Sequence, residues 1–299
     1  MSAMEHQVSE LRELPFDSWA PRPGDAERAS LRAALENGAI LYLPRLAFRL
    51  TPSETRFLTP EISNGASKNI GLPPGRDVPN GAKGSDADLC ELGAMIARFA
   101  TQARALVVAL LPAYEKHLKS AATSFRPFEI EGRPSSWRKD DTRLHTDAFP
   151  SNPTHGTRIL RVFSNVHPGG KPRVWRVGER FEDVARRYLR DIPRPMPGSS
   201  WLLEKLHVTK RRRTEYDHYM LHLHDREKLD LDYQRNGPQR RIDFPPGSTW
   251  IVYSDQVMHA AMSGQHMLEQ TFHLPPQALG DPAASPLKVL ERLAGRALV

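Results

Sequence analysis

The sequence predicts an α+β fold, an antiparallel jelly-roll core (a cupin-like double-stranded β-helix) flanked by N-terminal helices. Three observations carry this. The longest helical periodicity lies in the first half of the chain, short strand-like runs take over after about Ser124, and those runs do not alternate with helices as βαβ units would. The expected divisions are a helical and extended region over residues 1–123, the jelly-roll core over 124–276 and a C-terminal helix over 277–299.

Taken in order, residues 1–25 read as an arm on the body, because Pro15, Pro21 and Pro23 oppose a helix. Ala26 to Asn37 places Leu31, Ala34 and Leu35 at helical spacing and stops at Gly38, which tolerates the left-handed turn after a helix. AILYLP then reads as a short buried strand stopped by Pro44. Residues 60–86, rich in Gly, Pro, Asn and Ser, read as a long loop. From Ala87 to Leu118, Leu89, Leu92, Ile96, Phe99, Ala103, Leu106 and Leu110 recur every three or four residues, so the longest helix is expected there, kinked or split at Pro112. Cys90 is expected on it as a small buried hydrophobe. Downstream, FEIEG, TRILRVFSNV, RVWRVG, YMLHLH, STWIVYSD and MLEQTFHLP carry the β-branched and aromatic content of strands. A helix over Glu182 to Leu189 interrupts them, and another over Pro286 to Leu298 closes the chain.

Composition bounds the function. With 299 residues, 39% of them hydrophobic and 26% charged, the chain is an ordinary folded protein rather than a disordered or collagen-like one. Its single Cys excludes internal disulfides and thiolate metal clusters. MSAMEHQVSELREL lacks the basic start and apolar run of a secretory signal, and the apolar stretch Ala105 to Ala113 is too short to span a bilayer. A cytoplasmic location is the resulting expectation. The net charge of +7 points to an anionic partner: nucleic acid, a phospholipid surface or a small acidic substrate.

The sharpest chemical signal is His145-Thr-Asp147 with His259 far downstream. Residues i and i+2 of a strand share a face, so His145 and Asp147 can chelate one ion, and His259 follows a turn and strand that return to the same end of a barrel. Two imidazoles and a carboxylate on one face leave three positions open, as non-haem Fe(II) oxygenases require to hold a co-substrate and O₂ together. The following loop and TRILRVFSNVHPGG match the layout of 2-oxoglutarate oxygenases. Such enzymes need a cation for the far carboxylate of 2-oxoglutarate, commonly about ten residues after the last His ligand. Here that place holds Glu269 and Gln270. Strand alternation offers Arg158 or Arg161 instead, one of which faces inward, and Arg158 is preferred. Asn165 at the strand's end and Gln270, able to donate one hydrogen bond, complete the expected co-substrate contacts, with Arg173 and Arg176 next in line. His218, His222 and His224, with His222 and His224 on one strand face, form a rival metal cluster.

SSWRKDDTRLHTDAFPSNP, GTRILRVFSNVHPGGKPRVWRVGERFEDVARR, EYDHYMLHLHD and FPPGSTWIVYSDQVMHAAMSGQHMLEQTFHLP closely resemble the bacterial Kdo 3-hydroxylases, as do ENGAILYLPRLAF and SKNIG. The resemblance runs from about Leu35 to Pro276 and includes the missing arginine after His259. It implies an Fe(II)- and 2-oxoglutarate-dependent dioxygenase that hydroxylates carbon 3 of 3-deoxy-D-manno-oct-2-ulosonic acid (Kdo) in the lipid A inner core, giving Ko. It makes His145, Asp147 and His259 the iron ligands. Kdo carries a carboxylate and lipid A carries phosphates, so Arg138, Lys139 and Arg143 before the ligands are expected to meet substrate acids. The basic run KLHVTKRRR, with Arg211, Arg212 and Arg213, is expected to meet lipid phosphates or an anionic membrane surface. The expected partner is a Kdo-lipid A or other Kdo glycolipid at the inner face of the cytoplasmic membrane, with nucleic acid not expected. The alternatives are a nucleic-acid demethylase of the same fold and a non-catalytic basic protein that binds lipid or RNA.

Overall fold

The computed structural model describes residues 8–132 and 135–299, so the first seven residues of the expected arm lie outside the described residues. In chain order the elements are β1 (Leu11–Glu13), α1 (Asp25–Glu36), β2 (Ile40–Leu43), β3 (Ile70–Leu72), α2 (Asp86–Leu110), β4 (Lys119–Arg126), β5 (Arg158–Asn165) and β6 (Arg173–Gly178). Then come α3 (Phe181–Tyr188), α4 (Ser199–Lys205), α5 (Glu215–Leu229), α6 (Leu231–Asn236), β7 (Gln239–Phe244), β8 (Thr249–Tyr253), β9 (His259–Ser263), β10 (Met267–Leu274) and α7 (Pro286–Ala294).

Two sheets form the core, a seven-stranded one in the order β1-β2-β8-β5-β10-β4-β3 and a three-stranded one in the order β7-β6-β9. Between them Phe163, Trp175, Phe244 and Trp250 pack in stacked and edge-on pairs with ring centroids 4.0–5.6 Å apart. On the far face of the large sheet, Leu160, Val162, Leu268 and Phe272 meet Leu92, Ile96, Phe99 and Leu106 of α2. The large sheet is therefore buried on both faces, and β5 has no exposed residue. The segment between β6 and β7 carries α3 to α6, and α3, α5 and α7 share a second apolar cluster beneath the ligand loop. The α+β jelly-roll class expected from the sequence is the class observed.

Several local expectations change. Part of the arm forms β1, which pairs in parallel with β2. The expected boundary between residues 123 and 124 falls inside β4, and FEIEG is not a strand. Helix α2 starts at a capping box in which Ser85 and Asp88 exchange hydrogen bonds, and stops at Leu110 ahead of Pro112, which cannot continue it. It is long and apolar enough to cross a bilayer, but its apolar stripe packs in the core. Cys90 lies on its exposed face. YMLHLH is helix α5 rather than a strand: Thr214 and Asp217 form a capping box, and Tyr216, Tyr219, Met220 and Leu223 bury a stripe at spacings of three and four.

Candidate active site

His145 and His259 face each other across an isolated antiparallel bridge, their backbone N–H groups donating to each other's carbonyls at 3.0 and 2.9 Å. The Asp147 N–H donates to Ser254 O at 2.8 Å, which brings the carboxylate to the same place. The ligand atoms of His145, Asp147 and His259 lie within 4.8 Å of one another, the one such grouping among the described residues. In each imidazole Nδ1 is held by a carbonyl, that of Arg143 at 2.7 Å for His145 and that of Val257 at 2.8 Å for His259. A carbonyl only accepts, so Nδ1 carries the hydrogen and Nε2 keeps its lone pair for a metal.

Electrostatics prepare the same set. Burial, then the neighbouring His259 and Lys228, hold the His145 imidazole well below its ordinary pKa, and burial lowers that of His259. Burial would raise the Asp147 carboxyl, but the Arg161 guanidinium beside it leads the interactions that outweigh burial and keep it ionised. The result is two neutral imidazoles and a carboxylate.

Helices α5 and α6 hold the ligand loop. The fully buried Glu227 accepts from the Thr146 N–H at 2.7 Å and from its hydroxyl at 3.1 Å. Gln234 accepts from Leu144 N–H at 2.8 Å and donates to Leu144 O at 2.9 Å. Trp175 stacks on the His259 ring at 5.1 Å, and the His224 ring meets that of His145 edge-on at 5.3 Å.

The ligands open onto a pocket lined also by Arg126, Asp141, Arg161, Phe163, Arg173, Trp175, Ala261 and Met267. Arg161 lies 2.9 Å from Asp147 Oδ2 and 2.9 Å from Glu269 Oε1, and Arg126 pairs with Glu269. Arg173 is 2% exposed, donates to Gly264 O at 2.6 Å and has no carboxylate partner among the described residues. Burial first, and Arg126 second, push its guanidinium down to about 9. The Nε atoms of Arg126, Arg161 and Arg173 and Nε1 of Trp175 are buried without partners. Four buried donors thus lie around one pocket without a partner among the described residues, which native interiors seldom leave so.

This geometry corrects the expected co-substrate set. Arg158 faces away from the ligands: it pairs with Asp255 at 2.7 Å, donates to Gln256 Oε1 at 2.6 Å and packs over Tyr253. Arg161 is the inward arginine, because the face of β5 that carries Arg158, Leu160 and Val162 is the one covered by α2. The Asn165 amide is spent on the carbonyls of Lys171 and Phe244, so it closes the strand end. Gln270 points to the α2 side, where it accepts from Thr123 and donates to Ala121 O and Thr271 O.

None of the expected substrate cations lines the metal pocket. Arg138 pairs with Asp225 at 3.1 Å and packs over Trp137, while Lys139 is exposed. Arg143 bonds Asp140 at 3.2 Å and Lys228 O at 2.8 Å, and thereby braces the ligand loop. Arg211 and Arg213 donate to the carbonyls of Pro153 and Pro150, and Arg212 to Ser200 Oγ. His218, His222 and His224 are on a helix rather than a strand face and form no metal group among the described residues. Arg126 and Trp175 line the pocket although the sequence reading did not single them out, and Arg173, held there as a later candidate, lines it too; Arg173 and Trp175, alternating on β6, are the pair a reader of that strand could have found.

No curated protein matches the chain. Crystal structures of the Kdo hydroxylase KdoO, a non-haem Fe(II) α-ketoglutarate-dependent dioxygenase, are similar over 97% of this chain and 98% of that one, at 47% identity. The TM-score is 0.94 for the complex with α-ketoglutarate and Fe(III) and 0.95 for that with cobalt(II). The profile of the 3-deoxy-D-manno-oct-2-ulosonic acid (Kdo) hydroxylases matches residues 18–297, and the chain belongs to that family.

Proposed function

We infer that this pocket binds Fe(II) and 2-oxoglutarate and hydroxylates carbon 3 of Kdo, giving Ko. The carrying observation is the pairing of a two-imidazole, one-carboxylate donor set with a buried arginine that forms no ion pair with a carboxylate among the described residues. The donor chemistry fits a divalent ion with open positions, and the unpartnered donors fit a dianion beside it. Iron and 2-oxoglutarate together supply the oxidising power that inserts one atom of O₂ into a C–H bond.

The chain's own residues do the rest. His145, Asp147 and His259 hold the ion through Nε2 and carboxylate oxygen atoms. Arg161 keeps Asp147 ionised and oriented. Arg173, assisted by Arg126 and the Trp175 N–H, meets the far carboxylate, whose burial alone would cost several kcal/mol. Phe163, Ala261 and Met267 keep that end of the pocket dry.

The acceptor on this reading is Kdo in a lipid A precursor or related glycolipid at the cytoplasmic membrane face. Supporting it, the basic run is tied to the loop after Asp147, with Lys210 N–H donating to Ser151 O at 2.9 Å and Arg211 to Pro153 O at 2.7 Å. Arg138, Lys139 and Arg211 to Arg213 then meet the sugar carboxylate and the phosphates. The test is incubation of a Kdo glycolipid with the protein, Fe(II), 2-oxoglutarate and O₂, followed by mass spectrometry. A gain of one oxygen atom on the Kdo is expected, with succinate released in equal amount. Succinate release with no oxygen gained by any Kdo acceptor would reject the substrate.

A further inference from the structure

Nine large apolar residues are strongly exposed among the described residues, and five of them, Met196, Trp201, Leu202, Leu206 and Val208, fall within one short stretch of chain. They are 50–76% exposed and lie on α4 and its flanks. No residue from 193 to 213 joins any of the three core clusters, so this apolar surface is not borrowed from the fold. The stretch is nevertheless anchored at both ends. His218 Nε2 bonds Pro193 O at 2.8 Å, Arg226 bonds Asp191 O, and Lys210 N–H bonds Ser151 O at 2.9 Å. A firmly based projection that shows tryptophan and leucine to solvent has a partner outside the chain.

Charge names the partner. Residues 192–213 hold Arg194, Lys205, Lys210, Arg211, Arg212 and Arg213 against one acid, Glu204. Large apolar side chains flanked by cations match the interface of an anionic bilayer, where the rings enter the headgroup boundary and the cations meet phosphates. A protein partner would instead be expected to pair the apolar patch with a mixed-charge rim.

We propose that α4 and its flanks are a membrane-docking element that inserts Trp201, Leu202 and Leu206 into an anionic phospholipid surface. This rests on the reading of a glycolipid acceptor. Its base is bonded to residues 150–153, just after the ligand Asp147, so docking brings the lipid surface to the rim of the active site. A headgroup then reaches the pocket while its acyl chains stay in the bilayer.

The test uses the full chain with vesicles of phosphatidylglycerol and phosphatidylcholine, and with phosphatidylcholine alone, at low and high salt. Trp201 is the one exposed tryptophan of five, so its emission reports insertion without a label. Co-sedimentation and a blue shift with the anionic vesicles are expected, both weaker at high salt. The double variant Trp201→Ser, Leu206→Ser should lower partitioning by on the order of tenfold or more, with an unchanged melting temperature, because both residues are exposed. Vesicle binding is read without turnover, so its failure is separate from failure of the substrate assignment; succinate release without vesicles should be equal in parent and variant. Equal vesicle partitioning of the two proteins would overturn the proposal, as would a parental dimer in sedimentation equilibrium that the double variant abolishes.

Discussion

Replacing Arg173 by Met removes a buried guanidinium that forms no ion pair with a carboxylate among the described residues, and its effects on stability and on ligand binding should part company. The charge is buried, which pushes its pKa down to about 9, and its one described bond is to Gly264 O. Stability should therefore stay within about 1 kcal/mol of the parent. With 2-oxoglutarate bound, the lost contact is charge-assisted and worth about 2–3 kcal/mol, which weakens binding by ~30–150-fold. Arg158→Met makes the opposite prediction. It leaves Asp255 buried without its partner, which costs about 3–5 kcal/mol of stability, and it removes nothing that lines the pocket. Anaerobic calorimetric titration of 2-oxoglutarate into the metal-loaded proteins, with thermal melting with and without ligand, separates the two. At a fixed 2-oxoglutarate concentration, ligand-induced stabilisation should fall by up to about 2–3 kcal/mol in Arg173→Met and persist in Arg158→Met. Parental 2-oxoglutarate affinity in Arg173→Met, or a tenfold loss in an Arg158→Met protein that melts normally, would refute the assignment.

Alanine at His145, Asp147 or His259 should abolish divalent-ion binding in calorimetry and 2-oxoglutarate turnover while circular dichroism stays parental; an Asp147→Ala protein that still loads iron and turns over would sink the ligand set. Burial raises the Glu227 carboxyl to about 7, partly offset by its bonds from Thr146, so its contribution to stability is present below about pH 4.5 and lost as pH rises through about 7. Glu227→Gln, which cannot ionise, should flatten that slope and gain up to about 3 kcal/mol on the parent at pH 8, read by urea unfolding at pH 5 and pH 8; equal slopes would show that Glu227 does not titrate there. Gly93→Ala should destabilise despite the ~1 kcal/mol helix preference of alanine, because its Cβ would lie 1.8 Å from Asp77 O. A higher melting temperature for Gly93→Ala would mean that the loop does not sit on α2.

The metal triad and five of the ten strands, β2, β5, β6, β8 and β10, were legible because their signals are local. His145-x-Asp147 is a two-residue pattern, and a turn and strand preceding His259 imply the chain's return. Helix α5 was misread as a strand, because the strand-like look of YMLHLH hid the Thr214–Asp217 capping box and the spacing of Tyr216, Tyr219, Met220 and Leu223 that the sequence also carries. The phase of β5 was not legible either. Alternation says that Arg158 and Arg161 face opposite ways, but a strand buried on both sides offers no polar face to orient it. Only the packing of α2 on Leu160 and Val162 decides that Arg158 belongs to the outer layer and Arg161 to the pocket. The same holds for Arg126, Arg161 and Arg173, which come from β4, β5 and β6 and meet because two sheets fold face to face. Residue type and local spacing determine which groups are able to do the chemistry; which arginine is left without an acid is set by the positions of every neighbouring carboxylate, and those exist only in the folded chain.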